Sequence, residues 1–174
     1  MKVELKELTD QTLRIFESDN VSELGKAIMK CVEQNQIDKM DKFYKLVSGD
    51  LTKDWMQMIY QYYNADRKQK KQDYTPKCIA EFMSMLCGQG ESVVDLCAGS
   101  GALTIQKWNH NPDQKFILYE LDGNVIPFLL FNLSIRNIQS IVFRADVLND
   151  EVFEKWKITR GEKYGNVTYI KPAV

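Results

Sequence analysis

The sequence predicts an α/β protein in which a helical N-terminal region precedes a truncated Rossmann-like unit. Two observations support this prediction. Residues 1–65 have apolar side chains at helical spacing, whereas the chain after Pro76 alternates short apolar runs with helical patterns. Strands that alternate with helices in this way usually pair in parallel through right-handed crossovers. We therefore divide the chain into a helical region at 1–72 and an α/β domain at 73–174.

Composition limits the class of protein before any motif is considered. The 174 residues are 44% hydrophobic and 27% charged, which is typical of a soluble globular chain. No apolar run approaches the roughly 20 residues that a membrane span needs, and the charged N-terminus lacks the pattern of a signal peptide. We therefore expect a cytoplasmic protein without a membrane partner. The net charge of −1 does not indicate nucleic-acid binding, although a local basic patch is compatible with it.

The cysteines and the single histidine do not form a metal-binding pattern. There is no C-x-x-C pair, and His110 lies between a predicted helix and a predicted strand. We expect no metal site, and we interpret His110 as an exposed loop residue. Reduced and mostly buried thiols are expected. For Cys97 in the turn we favour a small packing residue over the alternative of a redox-sensitive thiol. The four cysteines are Cys31, Cys78, Cys87 and Cys97.

The N-terminal region is predicted to be helical up to a polar, basic stretch. Apolar stripes begin at Leu5 and Val21, and Asp50 is placed to cap the helix with the aromatic stripe that begins at Trp55. For this stripe we favour core packing over base stacking. Residues 67–71 form the basic stretch, which is either a solvated linker, as we favour, or a phosphate-contacting patch.

Four short apolar runs after the basic stretch are predicted to be strands. An amphipathic helix ending near Gly88 precedes them. The usual doubly wound topology gives the strand order 3-2-1-4, with the fourth strand at an open edge. Because an open apolar edge invites pairing, we expect the N-terminal helices, a second copy or another subunit to cover it. The predicted strands are 92–96, 115–119, 140–144 and 166–170.

The turn after the first predicted strand, residues 95–101, is the most specific local feature, and we call it the glycine turn. Its glycines permit positive φ and close backbone approach, and the following helix offers unpaired N–H groups. Thr104 stands where a dinucleotide fingerprint needs glycine or alanine, and the Gly-Lys-Ser/Thr ending of a phosphate loop is absent. Asp95 would repel a phosphate but suits a cation such as S-adenosylmethionine, although a turn without a ligand stays an alternative. The candidate binding residues of the turn are Asp95, Cys97, Gly99, Ser100 and Gly101.

Two further acidic residues end the next two predicted strands. Glu120 ends the second strand, where a carboxylate can accept hydrogen bonds from both ribose hydroxyls. Asp122 competes with it for this role. Asp146 ends the third strand, where it is placed to accept from an adenine amino group. Three acids at the ends of successive strands predict one shared cleft.

Residues 73–148 resemble the cofactor-binding half of N6-adenine DNA methyltransferases, especially the modification subunits of type I restriction-modification systems. Members of that family have a Tyr-Thr-Pro segment, a helix, and then an Asp-Pro-x-x-Gly-Ser-Gly turn. The counterparts here are Tyr74-Thr75-Pro76 and the glycine turn, with Leu96 in place of the usual proline. The resemblance implies a methyltransferase that uses S-adenosylmethionine.

The resemblance also assigns roles to individual residues. It implies that Tyr74 and Thr75 lie near the amino-acid end of S-adenosylmethionine, and that the glycine turn holds its methionine moiety. It implies further that Glu120 binds the ribose and that Leu121 packs on the adenine ring. Asp146 would bind the adenine amino group.

The resemblance fails at the position of the catalytic loop. The family has Asn/Asp-Pro-Pro-Tyr/Phe after the fourth strand, and this chain has Lys171-Pro172-Ala173-Val174. A charged lysine cannot accept a hydrogen bond from the target amino group, and valine does not stack as an aromatic ring does. The catalytic residues are therefore not assigned.

Three hypotheses about function stay open. The first is a DNA adenine-N6 methyltransferase of a restriction-modification system, which contacts DNA through a complex completed by another polypeptide or a longer chain. The second is a catalytically inactive cofactor-binding or regulatory subunit. The third is a small-molecule methyltransferase, which the Tyr-Thr-Pro segment disfavours because it is more particular to the DNA enzymes.

Overall fold

The computed structural model describes residues 5–64, 75–88 and 90–171. Within these ranges the chain forms seven helices and five strands. The helices are α1 (Leu5–Phe16), α2 (Val21–Glu33), α3 (Ile37–Leu46), α4 (Trp55–Asn64), α5 (Lys77–Leu86), α6 (Ala102–His110) and α7 (Ile126–Ile135). The strands are β1 (Ser92–Asp95), β2 (Lys115–Glu120), β3 (Ser140–Asp146), β4 (Glu151–Thr159) and β5 (Asn166–Ile170).

Side-chain caps fix the beginnings of two N-terminal helices. Asn20 precedes α2, and its Oδ1 accepts the main-chain N–H of Glu23 at 3.1 Å, as an N-cap side chain does. Asp54 precedes α4, and its Oδ1 accepts the N–H of Gln57 at 2.8 Å. The predicted cap at Asp50 is therefore wrong, because that carboxylate instead accepts from the main chain two residues later, before α4 begins.

The N-terminal helices and the α/β part of the chain share one core around α7. All residues of α7 are buried. The Phe131 ring packs edge-on against Phe16 of α1 and Phe43 of α3, with centroids 5.3 and 5.2 Å apart. Ile59 is fully buried and Trp55 packs against the same cluster, which confirms that these members of the aromatic stripe belong to the core.

The domain boundary and the basic stretch cannot be compared with the structure. The boundary proposed near residue 72 and the basic residues 67–71 fall outside the described residues. Both stay predictions, as does the role of Tyr74.

The sheet has the order β1-β2-β3-β4-β5 in the part of the chain that the structure describes. β1, β2 and β3 pair in parallel as predicted, whereas β4 is antiparallel to both β3 and β5. The predicted order 3-2-1-4 is wrong, because residues 166–170 form β5 at the edge opposite β1. β4 was not among the predicted strands.

β4 follows β3 directly because a tight turn reverses the chain where a crossover helix was expected. Asp146 Oδ1 accepts the main-chain N–H groups of Leu148 and Asn149 at 3.0 and 3.2 Å, and Asp150 has a φ of 56°. Trp156 of β4 is buried, while the residue on each side of it is a lysine. The sequence therefore contains the alternation of a half-buried strand, and this signal was missed.

The sheet packs one face against the core. Phe116, Leu118 and Val142 belong to the same buried cluster as α7. Side chains alternate between the two faces of a strand, and on β1 Val93 packs against the core while Val94 is 54% exposed. None of the described helices is long and apolar enough to cross a membrane.

Candidate functional site

Three acidic residues lie at one edge of the sheet, because β1, β2 and β3 run in parallel and each ends in one of them. Asp95 ends β1, Glu120 ends β2 and Asp146 ends β3. In the register of the sheet, Asp95 lies beside Leu118, two residues before Glu120. Glu120 in turn lies beside Arg144, two residues before Asp146. The three acids therefore lie at one edge of the sheet, as the predicted shared cleft requires, and the cleft itself stays a prediction.

The glycine turn connects β1 to α6 through two residues of left-handed conformation. Gly99 has a φ of 56° and Gly101 a φ of 99°, values that favour glycine. A Cβ at Gly99 would meet no atom within 4 Å, so space is open beside that residue. A Cβ at Gly101 would lie 3.1 Å from Leu129 Cδ1, so this glycine also allows the turn to approach α7 closely.

Glu120 links the glycine turn to the loop after β2. Its Oε2 accepts the main-chain N–H of Gly99 at 2.8 Å, and its Oε1 accepts the N–H of Asp122 at 2.7 Å. Asp122 itself accepts from Asn124 within that loop. A carboxylate has about four lone-pair sites, so each oxygen of Glu120 can accept a further hydrogen bond. Leu121, the next residue, is 57% exposed.

Asp95 has an acceptor oxygen to which no described donor is hydrogen-bonded. Its Oδ1 accepts the main-chain N–H of Cys97 at 3.1 Å, but its Oδ2 is buried without a partner in the described part of the chain. Burial raises the pKa of Asp95, and the hydrogen bond from Cys97 opposes this shift. A cationic donor at Oδ2 would satisfy the buried oxygen and favour the ionised carboxylate.

The Asp146 side chain holds the turn between β3 and β4. Besides its two main-chain donors, it accepts from Asn149 Nδ2 at 2.9 Å. Hydrogen bonds from Asn149 lower the pKa of Asp146 below its ordinary value, so the group is ionised at neutral pH. It lies at the same sheet edge as Glu120 and retains lone pairs for a further donor.

The remaining predicted site residues have different surroundings. Thr75 lines a cavity of about 350 Å³. Cys97 is exposed at the glycine turn, so its interpretation as a packing residue is wrong. Ser100 is buried and its hydroxyl points away from the open side of the turn, toward α4.

The expectation of mostly buried thiols is also wrong, because among the described cysteines only Cys31 is buried while Cys78 and Cys87, at the two ends of α5, are exposed.

The cavity beside Thr75 lies where three helices begin. It is lined by residues before and within the first turns of α4, α5 and α6. Asp95, Glu120 and Asp146 are not among its lining residues, whereas Ala102, which directly follows the glycine turn, is one of them. The lining residues are Lys53, Asp54, Gln57, Met58, Thr75, Pro76, Lys77, Ala80, Ala102 and Gln106.

Lys171 follows β5 at the carboxyl-end edge of the sheet but far from the glycine turn. β5 is separated from β1 by four strand-to-strand steps, which at about 4.8 Å each correspond to roughly 19 Å. The strand order that would have brought Lys171 beside Asp95 is the one that the structure contradicts. Pro172 lies outside the described residues.

A buried polar network joins the glycine turn to the N-terminal helices. Asp54 accepts Ser100 Oγ at 2.6 Å and Asn132 Nδ2 at 2.8 Å. Arg136 Nη1 donates to the main-chain O and the Oδ1 of Asn132 at 2.8 and 2.9 Å. The positive charge of Arg136 favours the ionised form of the buried Asp54 carboxylate. Burial raises the pKa of Asp54, and burial lowers the pKa of Arg136 to about 10, which leaves Arg136 protonated at neutral pH.

Asp54, Asn132 and Arg136 were not among the residues that the sequence patterns indicated. A signal for two of them exists, because Asn132 and Arg136 stand four residues apart at the end of a strongly apolar helix. Polar residues in such a helix must find buried partners. Asp54 had no comparable signal.

Fold and site together define an α/β protein in which the glycine turn and three acidic residues lie at the carboxyl ends of the parallel strands, the edge where open α/β sheets bind ligands. The model of the N-6 DNA methylase family matches residues 47–166, which is more than half of the chain. The chain therefore belongs to the N-6 DNA methylase family, and the resemblance inferred from residues 73–148 is confirmed. No match was found among curated proteins or solved structures. The described residues contain no group of three or more His, Cys, Asp or Glu side chains that could hold a metal ion.

Proposed function

We propose that the chain binds S-adenosylmethionine at the glycine turn and serves adenine-N6 methylation of DNA in a restriction-modification system. The observation that most directly supports this proposal is that the glycine turn and three strand-end acids lie at one edge of the sheet, with Glu120 hydrogen-bonded to Gly99. Membership of the N-6 DNA methylase family supports the reaction class.

The residues at this edge fit the chemistry of the proposed cofactor. The buried, unpaired Oδ2 of Asp95 suits a cationic donor such as the ammonium group. The free lone pairs of Glu120 suit two ribose hydroxyls, and the open space at Gly99 allows a ligand to approach the backbone. When bound, S-adenosylmethionine supplies a sulfonium methyl group, which passes to adenine N6 while that nitrogen loses a proton and S-adenosylhomocysteine leaves.

The other binding residues are proposed on their positions. The exposed side chain of Leu121 follows Glu120 directly and can cover one face of the adenine ring. Asp146 would accept from the adenine amino group, and Tyr74 and Thr75 would lie near the amino-acid end. Cys97 and Gly101 would contribute their backbone to the methionine side of the site.

The catalytic acceptor for the amino group of the target adenine in DNA is proposed to come from outside residues 5–171. A lysine ammonium group has donors but no acceptor, and β5 lies roughly 19 Å from β1, so Lys171 cannot accept a hydrogen bond from the target amino group at the cofactor site. We therefore propose that DNA is bound and methylated in a complex with another restriction-modification subunit or a second copy. Such a partner would cover an open sheet edge at β1 or β5.

A second candidate function is a regulatory subunit that binds the cofactor without catalysing transfer. The observation that favours it is again Lys171, because the chain has a lysine where the family has its catalytic acceptor. Methylation assays of adenine-containing duplex DNA with candidate partner subunits separate the two functions. Transfer that depends on an intact Glu120 in this chain supports the enzyme subunit, and absence of transfer in every combination supports the regulatory subunit.

Calorimetric titration with S-adenosylmethionine and, separately, S-adenosylhomocysteine tests the cofactor site itself. Micromolar binding of either ligand is expected. Glu162→Ala is a matched control for Glu120→Ala, because Glu162 is an exposed carboxylate in the loop between β4 and β5. Failure of the wild-type chain to bind both ligands, alone and with partner subunits, would refute the proposal.

A further inference from the structure

We propose that Asp54 is a positioning residue that fixes the glycine turn through Ser100, so that the N-terminal helices form part of the ligand site. The inference rests on the proposed function for its ligand, but the order of the turn can be measured without any ligand. Asp54 lies at the beginning of α4, in the region that the sequence separated from the α/β domain.

Ser100 is held at both its side chain and its main chain. Its hydroxyl donates to Asp54 Oδ2 at 2.6 Å, and its carbonyl oxygen accepts Asn132 Nδ2 at 2.9 Å. The residue is only 4% exposed. It stands between Gly99 and Gly101, the two residues of the turn that have positive φ.

The turn needs such an anchor because its conformation is not fixed by its own residues. Glycine has access to more backbone conformations than any other residue, and fixing each residue has an entropic cost of about 1–2 kcal/mol. Gly99 and Gly101 on either side of Ser100 would otherwise allow the turn many arrangements. Holding the central residue selects the arrangement in which the N–H of Gly99 reaches Glu120.

Asp54 is itself fixed by contacts from two helices and from the residue that follows the second of them. Its carboxylate accepts from the N–H of Gln57 at the start of α4 and from Asn132 of α7. Arg136, directly after α7, donates to the carbonyl oxygens of Leu51 and Lys53 at 2.8 and 2.7 Å, which holds the segment that leads to Asp54. The anchor is therefore a rigid part of the core, only 8% exposed.

The Asp54 carboxylate is the acceptor on which the network converges. Three donors meet its two oxygens. An asparagine would keep the link to Ser100, because its amide group can donate to the serine hydroxyl, which accepts as well as donates. Alanine has neither an acceptor nor a donor at this position. Asp54→Ala therefore removes the link to Ser100, leaves the other donors unpaired and removes the charge near Arg136.

The consequence for the ligand is a smaller population of binding-competent turns. If the turn is ordered only part of the time, the apparent dissociation constant rises in inverse proportion to that fraction. Loss of a hydrogen bond to a charged group can reduce that fraction about tenfold. Ser100→Ala should therefore weaken binding although its hydroxyl points away from the open side of the turn.

The test compares Ser100→Ala with Ser134→Ala. Ser134 is also buried and its Oγ donates to the carbonyl oxygen of Gly165 at 2.6 Å, but it lies on the side of α7 near β5. Both variants lose one buried hydroxyl and one hydrogen bond. Amide hydrogen exchange at Gly99 and Gly101, measured by NMR on the ligand-free full chain, reports local opening of the turn.

Ser100→Ala is expected to accelerate exchange at Gly99 and Gly101 about tenfold and to raise the dissociation constant of S-adenosylhomocysteine by a similar factor. Ser134→Ala should change neither quantity at equal loss of global stability. Asp54→Ala should reproduce the effect of Ser100→Ala on exchange at the turn, and the double variant should show much less than the product of the two single effects.

Two results would overturn the proposal. One is equal exchange at the turn in Ser100→Ala and Ser134→Ala, and the other is independent effects of the two substitutions in the double variant. If the wild type binds neither ligand, the proposed cofactor is wrong, whereas the exchange comparison still decides whether Asp54 positions the turn. If Asp54→Ala does not fold, Ser100→Ala and its matched control are sufficient for that decision.

Discussion

Glu120 at the end of β2 accepts the main-chain N–H of Gly99 in the turn after β1, at 2.8 Å. The carboxylate thus bridges two neighbouring strand ends, and its other oxygen accepts from Asp122. A side chain in this position holds the glycine turn against the end of β2, at the edge where we propose that the cofactor binds. It is therefore the residue whose substitution tests the site most directly.

Glu120→Ala should weaken binding of S-adenosylmethionine about 10- to 150-fold, because charge-assisted hydrogen bonds contribute roughly 1.5–3 kcal/mol. Calorimetric titration measures the change, with Glu162→Ala as the control that should bind as the wild type does. Glu120→Gln keeps one acceptor oxygen, so its dissociation constant should lie between those of Glu120→Ala and Glu162→Ala. An unchanged dissociation constant in Glu120→Ala would exclude Glu120 from the site.

Asp95→Asn should stabilise the ligand-free protein and weaken ligand binding. Burial raises the pKa of Asp95, so the folded state binds its proton more tightly than the unfolded state does. Ionised Asp95 therefore lowers the stability of the wild type as the pH rises from the ordinary aspartate range through the raised pKa. Asparagine retains the acceptor for the N–H of Cys97 without the buried charge.

The measurement is the difference in unfolding free energy between Asp95→Asn and the wild type as a function of pH. The difference should be near zero at about pH 3, where both side chains are neutral, and should favour the variant at pH 7. S-adenosylhomocysteine lacks the sulfonium charge but keeps the ammonium group. Equal loss of affinity for both ligands would place the ammonium at Asp95, loss for S-adenosylmethionine alone would place the sulfonium there, and no loss for either would remove Asp95 from the site.

The parts of the structure that the sequence predicted are those with local signals. The glycine turn is a run of fewer than ten consecutive residues, and so is each of the strands β1, β2 and β3 with the acid that ends it. The Asp54 network has no local signal, because Ser100 and Asn132 are 46 and 78 residues away from that aspartate. Such partners are determined by the packing of α4 against α7, which single-sequence periodicity does not report.

Arg136→Met should lower the free energy of unfolding by about 3–5 kcal/mol, because it leaves the Asp54 carboxylate buried without an opposite charge. The carbonyl oxygens of Leu51 and Lys53 also lose their donors. Without Arg136 the pKa of Asp54, already raised by burial, should rise further. The folded variant then takes up a proton at higher pH, so its deficit relative to the wild type should shrink as the pH falls from neutral through the raised pKa.

Urea unfolding at neutral pH and at a series of lower pH values measures the loss of unfolding free energy in Arg136→Met. Arg160→Met is the matched control, because Arg160 donates to Asp113 and to the carbonyl oxygen of Pro112 at the surface. Exposed pairs of this kind contribute roughly 0–1 kcal/mol. A deficit in Arg136→Met no larger than that of the control, or one independent of pH, would contradict a charge-compensating role for Arg136.

The strand order distinguishes the predicted topology from the observed one, and engineered disulfides can test it. Lys157 of β4 lies opposite Thr168 of β5, whereas the predicted order 3-2-1-4 would place β5 beside β1 and its exposed Val94. Neighbouring strands bring opposite Cα atoms to about 4.5–5.5 Å, within the range of a disulfide. Three strands separate β1 from β5 in the observed sheet.

Lys157→Cys combined with Thr168→Cys should therefore form an intrachain disulfide under mild oxidation, and Val94→Cys combined with Thr168→Cys should not. The exposed thiols of Cys78, Cys87 and Cys97 are first replaced by serine so that they do not compete. Mass spectrometry of peptides from the non-reduced protein identifies the linked pair. The reverse result would mean that residues 166–170 occupy the position beside β1, which would bring Lys171 to the glycine turn and reopen its assignment to the catalytic-loop position.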